Sequence, residues 1–499
     1  MDHRGPYKGN VATPDSLRQR RREELTDLRK QKRERLLSTK RVRLQSRDCI
    51  SETDEEISEL MVKELTKSFL SSDSDRKAIM QILRRSFAQN SVFVDAFLSV
   101  DNALPSLIGL LTGHDADLQL EAAWCITNIS AGVHEHAQVV LRLAAPYLIT
   151  YLSSGNSLMQ DQCAWALGNV AGDSAECRET LKKQGIVEPL ISLLKSDNTG
   201  VQRSASFALS NIARGHDMHT KDLMVAGVAP LLLNHLNYDE SKLSVISEVA
   251  WVLTYLTATG EHAEELVQLG LIEKIVNLLI VMAKVNHNDA QIVTPLLRCL
   301  GNICSGPDRY SVQACANDEL LAGLAQFLLS EHHHIKKECL WALSNMTGEM
   351  NVARDILVKN LLPLILGESI GAFDIKKEVS FCICNLAAHG DEFCLELLRQ
   401  GALQVMVPLL KLTDTDLLHM TLSFFEMMLG AGGEKAKVVF EECDGVCGLE
   451  SLEYHDNDQI RAQASEILDK YFCIDIVQAV EENSSNHSIV NYDPQVKVG

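Results

Sequence analysis

The chain has 499 residues, 46% of them hydrophobic, 5% aromatic and 23% charged, with a formal net charge of -20 at pH 7. That composition excludes a disordered or fibrous chain, and few aromatics among many Leu, Ala and Val favour helices over sheets. Residues 18–47 hold 13 Lys or Arg against 4 Asp or Glu, a surplus of +9, which leaves -29 on the other 469 residues and argues against a nucleic-acid partner for them.

Residues 1–17 contain Gly and Pro and read as irregular, without the apolar core of a signal peptide. Residues 18–44, RQRRREELTDLRKQKRERLLSTKRVRL, lack Gly and Pro and consist of good helix formers. Leu25, Leu28, Leu36 and Leu37 give a thin apolar stripe, so this arm is expected to be helical when docked. An acidic linker and lead-in follows over 48–74.

From about residue 75 the pattern becomes periodic. Aligned slots read Trp124/Asn128, Trp165/Asn169, Phe207/Asn211, Trp251/Tyr255, Arg298/Asn302, Trp341/Asn345 and Phe381/Asn385. Their second members lie 41, 42, 44, 47, 43 and 40 residues apart, the period of armadillo or HEAT helical repeats. Between slots recur apolar helices opened by Pro, as in VEPLISLLKSD (187–197), VAPLLLNHLN (228–237) and LLPLILGES (361–369). Glycine turns separate them at KQGIV (184–188), VAGVA (225–229) and RQGAL (399–403). The array is expected over 75–475, about eight to ten repeats that bury their apolar faces only by stacking. The run IVNLLIVMA (275–283) is too short for a bilayer, which needs about 20 residues, and reads as a buried helix. Residues 476–499 read as a polar tail. Fourteen cysteines show no framework and many sit in apolar runs, such as Cys125, Cys163 and Cys339, as free buried thiols of a reducing compartment do.

All four tryptophans of the chain occupy the same slot. Residues four apart on a helix share a face, so ring and amide project side by side and repeat as a ladder. One such pair alone would read as core packing. Across the array, six of seven slots keep the amide, which core packing does not require. A carboxamide bonds both the N–H and the C=O of an extended peptide, whereas spaced rings admit Lys or Arg stems, at about 0.5–2 kcal/mol per cation–π contact. Nearby acids would select the cations: Asp173 follows Asn169, and Glu248, Glu338 and Glu378 each stand three residues before an aromatic.

A tryptophan–three–asparagine array behind RRREELTDLRKQKRERLL (20–37) resembles the importin-α family of nuclear import adaptors. Within it, LTGHDADLQLEAAWCITNIS (111–130), YLITYLSS (147–154) and LLRCLGNIC (296–304) look more like a divergent relative. The resemblance implies an all-α fold, a right-handed armadillo-repeat superhelical solenoid with an N-terminal basic helical arm. It implies a major groove for localisation-signal peptides at Trp124, Asn128, Trp165, Asn169, Asp173, Phe207 and Asn211. A minor groove would use Asn302, Glu338, Trp341, Asn345, Glu378, Phe381 and Asn385, with Arg214, Trp251, Tyr255 and Arg298 interrupting the ladder between them. Arg20, Arg21, Arg22, Arg29, Lys30, Lys32 and Arg33 would bind an importin-β-type carrier, and the tail an export factor. The implied partners are proteins with Lys/Arg-rich signals, and the implied location is cytoplasm and nucleus, with shuttling. Phe207 and Phe381 replace family tryptophans and make one slot in each groove shallower, and Ala137 replaces a threonine at the lysine pocket. STKRVR (38–43), with Lys40, Arg41 and Arg43, stands for the family's self-inhibiting cluster in a weaker form. A different reading is an armadillo scaffold of a signalling or cytoskeletal complex, with the ladder mainly as core.

His332, His333 and His334 read as an exposed turn before a helix, and Cys382/Cys384 and Cys443/Cys447 lack a second ligand pair of zinc spacing. No phosphate loop or nucleophile motif is present, so neither metal, cofactor nor catalysis is expected.

Overall fold

A computed structural model describes residue 41 and residues 57–71, 75–215, 218–258 and 260–472. The arm apart from Arg41, and the tail from 473, lie outside the described residues. The chain divides into two compact units, one within Asp15–Leu364 and one containing Ile365–Gly499. Among the described residues the secondary structure is helical throughout, without a strand. The fold is an all-α solenoid of armadillo type.

In the larger unit the helices that carry the slots stack on one another in chain order. Arg76–Gln89 packs on Ala116–Ser130, which packs on Ser157–Asp173, then Thr199–Ala213, Leu243–Leu256, Ala290–Cys304 and His333–Met346. Ser157–Asp173 is enclosed nearly all round: Trp165 and its neighbours from Asp161 to Gly172 are all buried. A helix of that kind has no solvent face of its own and is stable only between its neighbours. Short polar caps start them at matching places, with the Asp115, Asn156 and Asn198 side chains each accepting from two backbone N–H groups of the first turn. Proline opens the short helices Ala145–Tyr151, Val187–Leu193 and Val228–Asn234 near their first turn.

Gly185, Gly227, Gly270 and Gly401 have φ between 76° and 90°, and three of them are the turns predicted between helices. The apolar run at 275–283 lies in Leu271–Lys284, largely buried, and no single described helix is long and apolar enough to cross a membrane. One helix departs from expectation. Glu59–Leu70 occupies what reads as linker, capped by the Ser58 hydroxyl and burying Val62, Thr66 and Phe69. Its i, i+4, i+7 stripe is masked in the sequence by the acidic run before it.

In the smaller unit Phe373–Ala387 packs on Thr415–Glu442, which packs on Asp458–Tyr471. The long helix bends at Gly433, where φ is 53°.

Candidate peptide groove

Each slot pair falls on one helix, as its spacing predicts. Trp124/Asn128 lie on Ala116–Ser130, Trp165/Asn169/Asp173 on Ser157–Asp173, Phe207/Asn211 on Thr199–Ala213 and Trp251/Tyr255 on Leu243–Leu256. Arg298/Asn302 lie on Ala290–Cys304, Glu338/Trp341/Asn345 on His333–Met346 and Glu378/Phe381/Asn385 on Phe373–Ala387, the last in the smaller unit. Arg214 caps the C-terminus of Thr199–Ala213. The carrier-arm residues Arg20, Arg21, Arg22, Arg29, Lys30, Lys32 and Arg33 lie outside the described residues.

The amides tie the repeats together. The side-chain N–H of Asn128 donates to the Arg84 carbonyl (3.0 Å), Asn169 to Thr127 (3.2 Å), Asn211 to Gly168 (2.9 Å), Asn302 to Thr254 (3.1 Å) and Asn345 to Gly301 (2.9 Å). Every acceptor belongs to the preceding repeat, so each amide adds a bond between helices, worth about 0.5–1.5 kcal/mol. Core service therefore explains much of the regularity that the spacing alone assigns to peptide binding.

At Asn169 a second role coexists with the first. Its Oδ1 accepts from the Arg41 backbone N–H at 2.8 Å, and its Nδ2 also donates to the Arg41 carbonyl at 3.0 Å. The Trp165 indole N–H donates to that carbonyl at 2.8 Å. Both backbone groups of one residue are thus held without reference to its side chain. That side chain runs to Glu248, whose Oε1 accepts from Nη1, and its guanidinium carbon stands 4.5 Å from the centre of the Phe207 ring. Glu248 is 5% exposed, a buried carboxylate facing a cation. The segment STKRVR is therefore represented in the groove by Arg41, while Lys40 and Arg43 lie outside the described residues.

The ring spacing differs from that of an open ladder. Trp165 and Phe207 touch, with centres 5.6 Å apart and planes at 44°. Own-chain arginines cover other faces: Arg84 lies 4.2 Å over Trp124, Arg203 5.2 Å over Trp165 and Arg298 5.6 Å over Trp251. Besides Glu248, two more of the acids have partners within the chain. Asp173 Oδ2 lies 2.5 Å from His134 Nδ1 and 3.6 Å from the Cys177 thiol. Glu338 takes a forked pair of bonds from Arg298, one of 2.9 Å from Nε to Oε2 and a second from Nη2 to Oε1. Burial opposes the Arg298 charge, but the Glu338 carboxylate more than reverses this and holds its pKa above the ordinary value. Ala137, fully buried on His134–Leu143, offers no hydroxyl to the pocket.

Sequence reasoning missed several contributors. Gly168 and Gly301 seat the aromatic of the next repeat, since a Cβ at 168 would stand 2.7 Å from the Phe207 ring and one at 301 would meet Trp341. The signal was present as the repeated Gly-Asn at 168–169 and 301–302. His134 carried no signal, because its partner is 39 residues away. Among the described residues no group of three or more His, Cys, Asp or Glu could hold a metal ion, and His333 and His334 begin a helix rather than lie in a turn.

Comparison with known proteins gives a consistent picture. Residues 62–471 match the model of the TMCO6 family. The chain is 30% identical to importin subunit alpha-9 of Arabidopsis thaliana, covering 94% of this chain and 97% of that one. It is 31% identical to importin subunit alpha-2 of Oryza sativa subsp. japonica, with 94% and 95% covered. The crystal structure of an engineered protein aligns with a TM-score of 0.71 at 25% identity, covering 83% of this chain and 98% of the other.

Proposed function

The chain belongs to the importin-α family and to the TMCO6 group within its reach, and from that premise we propose that it is a non-enzymatic nuclear import adaptor. Its groove binds proteins through extended Lys/Arg-rich localisation signals. The observation that carries this reading is the grip of Asn169 and Trp165 on both backbone groups of Arg41, with Glu248 taking the cation. A device that holds backbone by its amide and side chain by a carboxylate accepts basic peptides in general.

The major groove is assigned to Trp124, Asn128, Trp165, Asn169, Asp173, Phe207 and Asn211, to which Glu248 is added. The residues read as a minor groove are assigned within each unit by itself: Asn302, Trp341 and Asn345 in the larger, where Glu338 acts through Arg298, and Glu378, Phe381 and Asn385 in the smaller. Residues 18–47 would recruit an importin-β-type carrier through the seven basic positions from Arg20 to Arg33, 48–74 would lead into the array of 75–475, and 476–499 would meet an export factor. Arg41 in the groove makes the arm a competitor of cargo, and the protein would shuttle between cytoplasm and nucleus.

A scaffold reading is favoured by the amide ties between repeats, which need no ligand. One experiment separates the two. Fluorescence anisotropy of a basic localisation peptide is measured on the full chain with Lys40, Arg41 and Arg43 changed to Ala. The adaptor predicts salt-sensitive binding that is lost in Asp173→Lys and weakened in Asn169→Ala; binding indifferent to both changes leaves the scaffold. For the arm, capture by an importin-β-type carrier should fail when Arg29, Lys30 and Lys32 are changed to Glu.

A further inference from the structure

We propose that the slot beside Asn169 selects arginine over lysine, with Phe207 and Glu248 as the residues that make the choice. This deepens the adaptor reading and rests on it. The backbone grip at Asn169 does not depend on the side chain, so any preference arises where the side chain ends.

Three observations define that end. First, the slot is closed to a sandwiched stem. An alkyl chain between two rings needs their centres about 7–8 Å apart, twice a normal carbon contact. The Trp165 and Phe207 centres are 5.6 Å apart, because Phe207 lies flush on Gly168. The stem of Arg41 therefore does not pass between them, and its head carries the recognition.

Second, the head lies on the ring. The guanidinium carbon is 4.5 Å from the Phe207 centre, within cation–π range, and a flat guanidinium also stacks on the ring as an ammonium cannot. The benzene ring of Phe207 is 2% exposed, so this is a sheltered contact rather than a surface one.

Third, Glu248 lies beyond the ring in a position that suits a fork. Its Oε1 accepts from Arg41 Nη1, and its Oε2 is buried without a hydrogen-bond partner among the described residues. A guanidinium carries five N–H donors in one plane and can serve ring and carboxylate at once. Lysine is one bond shorter and ends in a compact, strongly hydrated charge. To reach Glu248 it must leave the ring face, and on the ring face it leaves a buried carboxylate uncompensated.

The test uses the full chain carrying Arg41→Ala, so that its own arm no longer offers the side chain. Two labelled peptides of residues 36–46 are titrated by fluorescence anisotropy, identical except for Arg or Lys at position 41. The arginine peptide is expected to bind about tenfold tighter, the scale of one sheltered cation–π contact. Glu248→Gln, nearly isosteric, and Phe207→Leu, which keeps apolar volume without a ring, should each bring the ratio close to one while both peptides still bind. Equal affinities in the Arg41→Ala chain overturn the arginine preference alone, and so does a ratio unmoved by either second substitution. Absence of binding by both peptides overturns the groove itself, and the preference with it.

Discussion

His134 and Asp173 show how one contact can set the strength of a site. Asp173 is one of the acids expected to select cargo cations, yet its Oδ2 lies 2.5 Å from a ring nitrogen of His134. His134 is thus a built-in competitor for that oxygen. His134→Ala should raise the affinity of a basic peptide severalfold in anisotropy titrations; an unchanged or lower affinity would show that the imidazole supports the site instead. Arg298 and Glu338 form the second residue-scale unit, with side chains 6% and 3% exposed. Removing one partner leaves a buried, uncompensated charge, so Glu338→Ala should cost about 3–5 kcal/mol in urea unfolding. Replacing the pair together, Arg298→Met with Glu338→Leu, should come out near neutral, because well-packed apolar groups match a buried ion pair. The presence of Glu338 in register with Glu248 and Glu378 was legible in the sequence. Its partner was not, since Arg298 is 40 residues upstream and the sequence equally allowed Glu338 to face cargo.

At the scale of the element, the slot helix is a joint between repeats as much as a rung. Its aromatic rests on a glycine of the previous repeat and its amide bonds a carbonyl there, at Gly168 for Phe207/Asn211 and at Gly301 for Trp341/Asn345. Gly301→Ala should therefore push Trp341 off its seat and cost about 1–3 kcal/mol. Asn345→Leu should cost a similar amount by removing the amide bond to the Gly301 carbonyl, which then keeps only the Ser305 N–H, and by losing the tie between the two helices. Thermal melts of the two variants check this, and a loss confined to peptide affinity would contradict it. The helix boundaries followed from caps and turn glycines, as at Asn156 and Gly185, because those signals act within one turn of chain. The Glu59–Leu70 helix did not, because it is stabilised by packing on Arg76–Gln89 and Ser91–Leu98, which composition cannot show.

For the whole molecule, the cysteines give a property that any observer can measure. Burial pushes the Cys299 thiol from an ordinary 9.0 up to about 12 and Cys394 to about 11, and raises Cys125 and Cys163 further. These groups are neutral in the fold and ionise more easily in the unfolded chain. Their contribution to stability is complete below about pH 9 and is lost as pH rises toward the folded values. The unfolding midpoint should fall steadily between pH 9 and 11, and a flat profile would deny that the thiols stay buried. Among the described residues Cys447 is exposed and should react first with a thiol reagent, well before Cys125 or Cys163.

What the sequence determined by itself is periodic and local: the all-α repeat, the helices that bear Trp–three–Asn, and the acids standing in register beside them. These follow from spacings of four and about forty residues, which need no knowledge of partners. The tertiary structure decided who meets whom. It gave the amide nitrogens to neighbouring repeats, Glu338 to Arg298, Asp173 to His134, and Glu248 to Arg41, 207 residues away along the chain. A carboxylate or an amide carries the same chemistry in every setting, and only the stacking of the helices brings one acceptor rather than another within 3 Å of its donor.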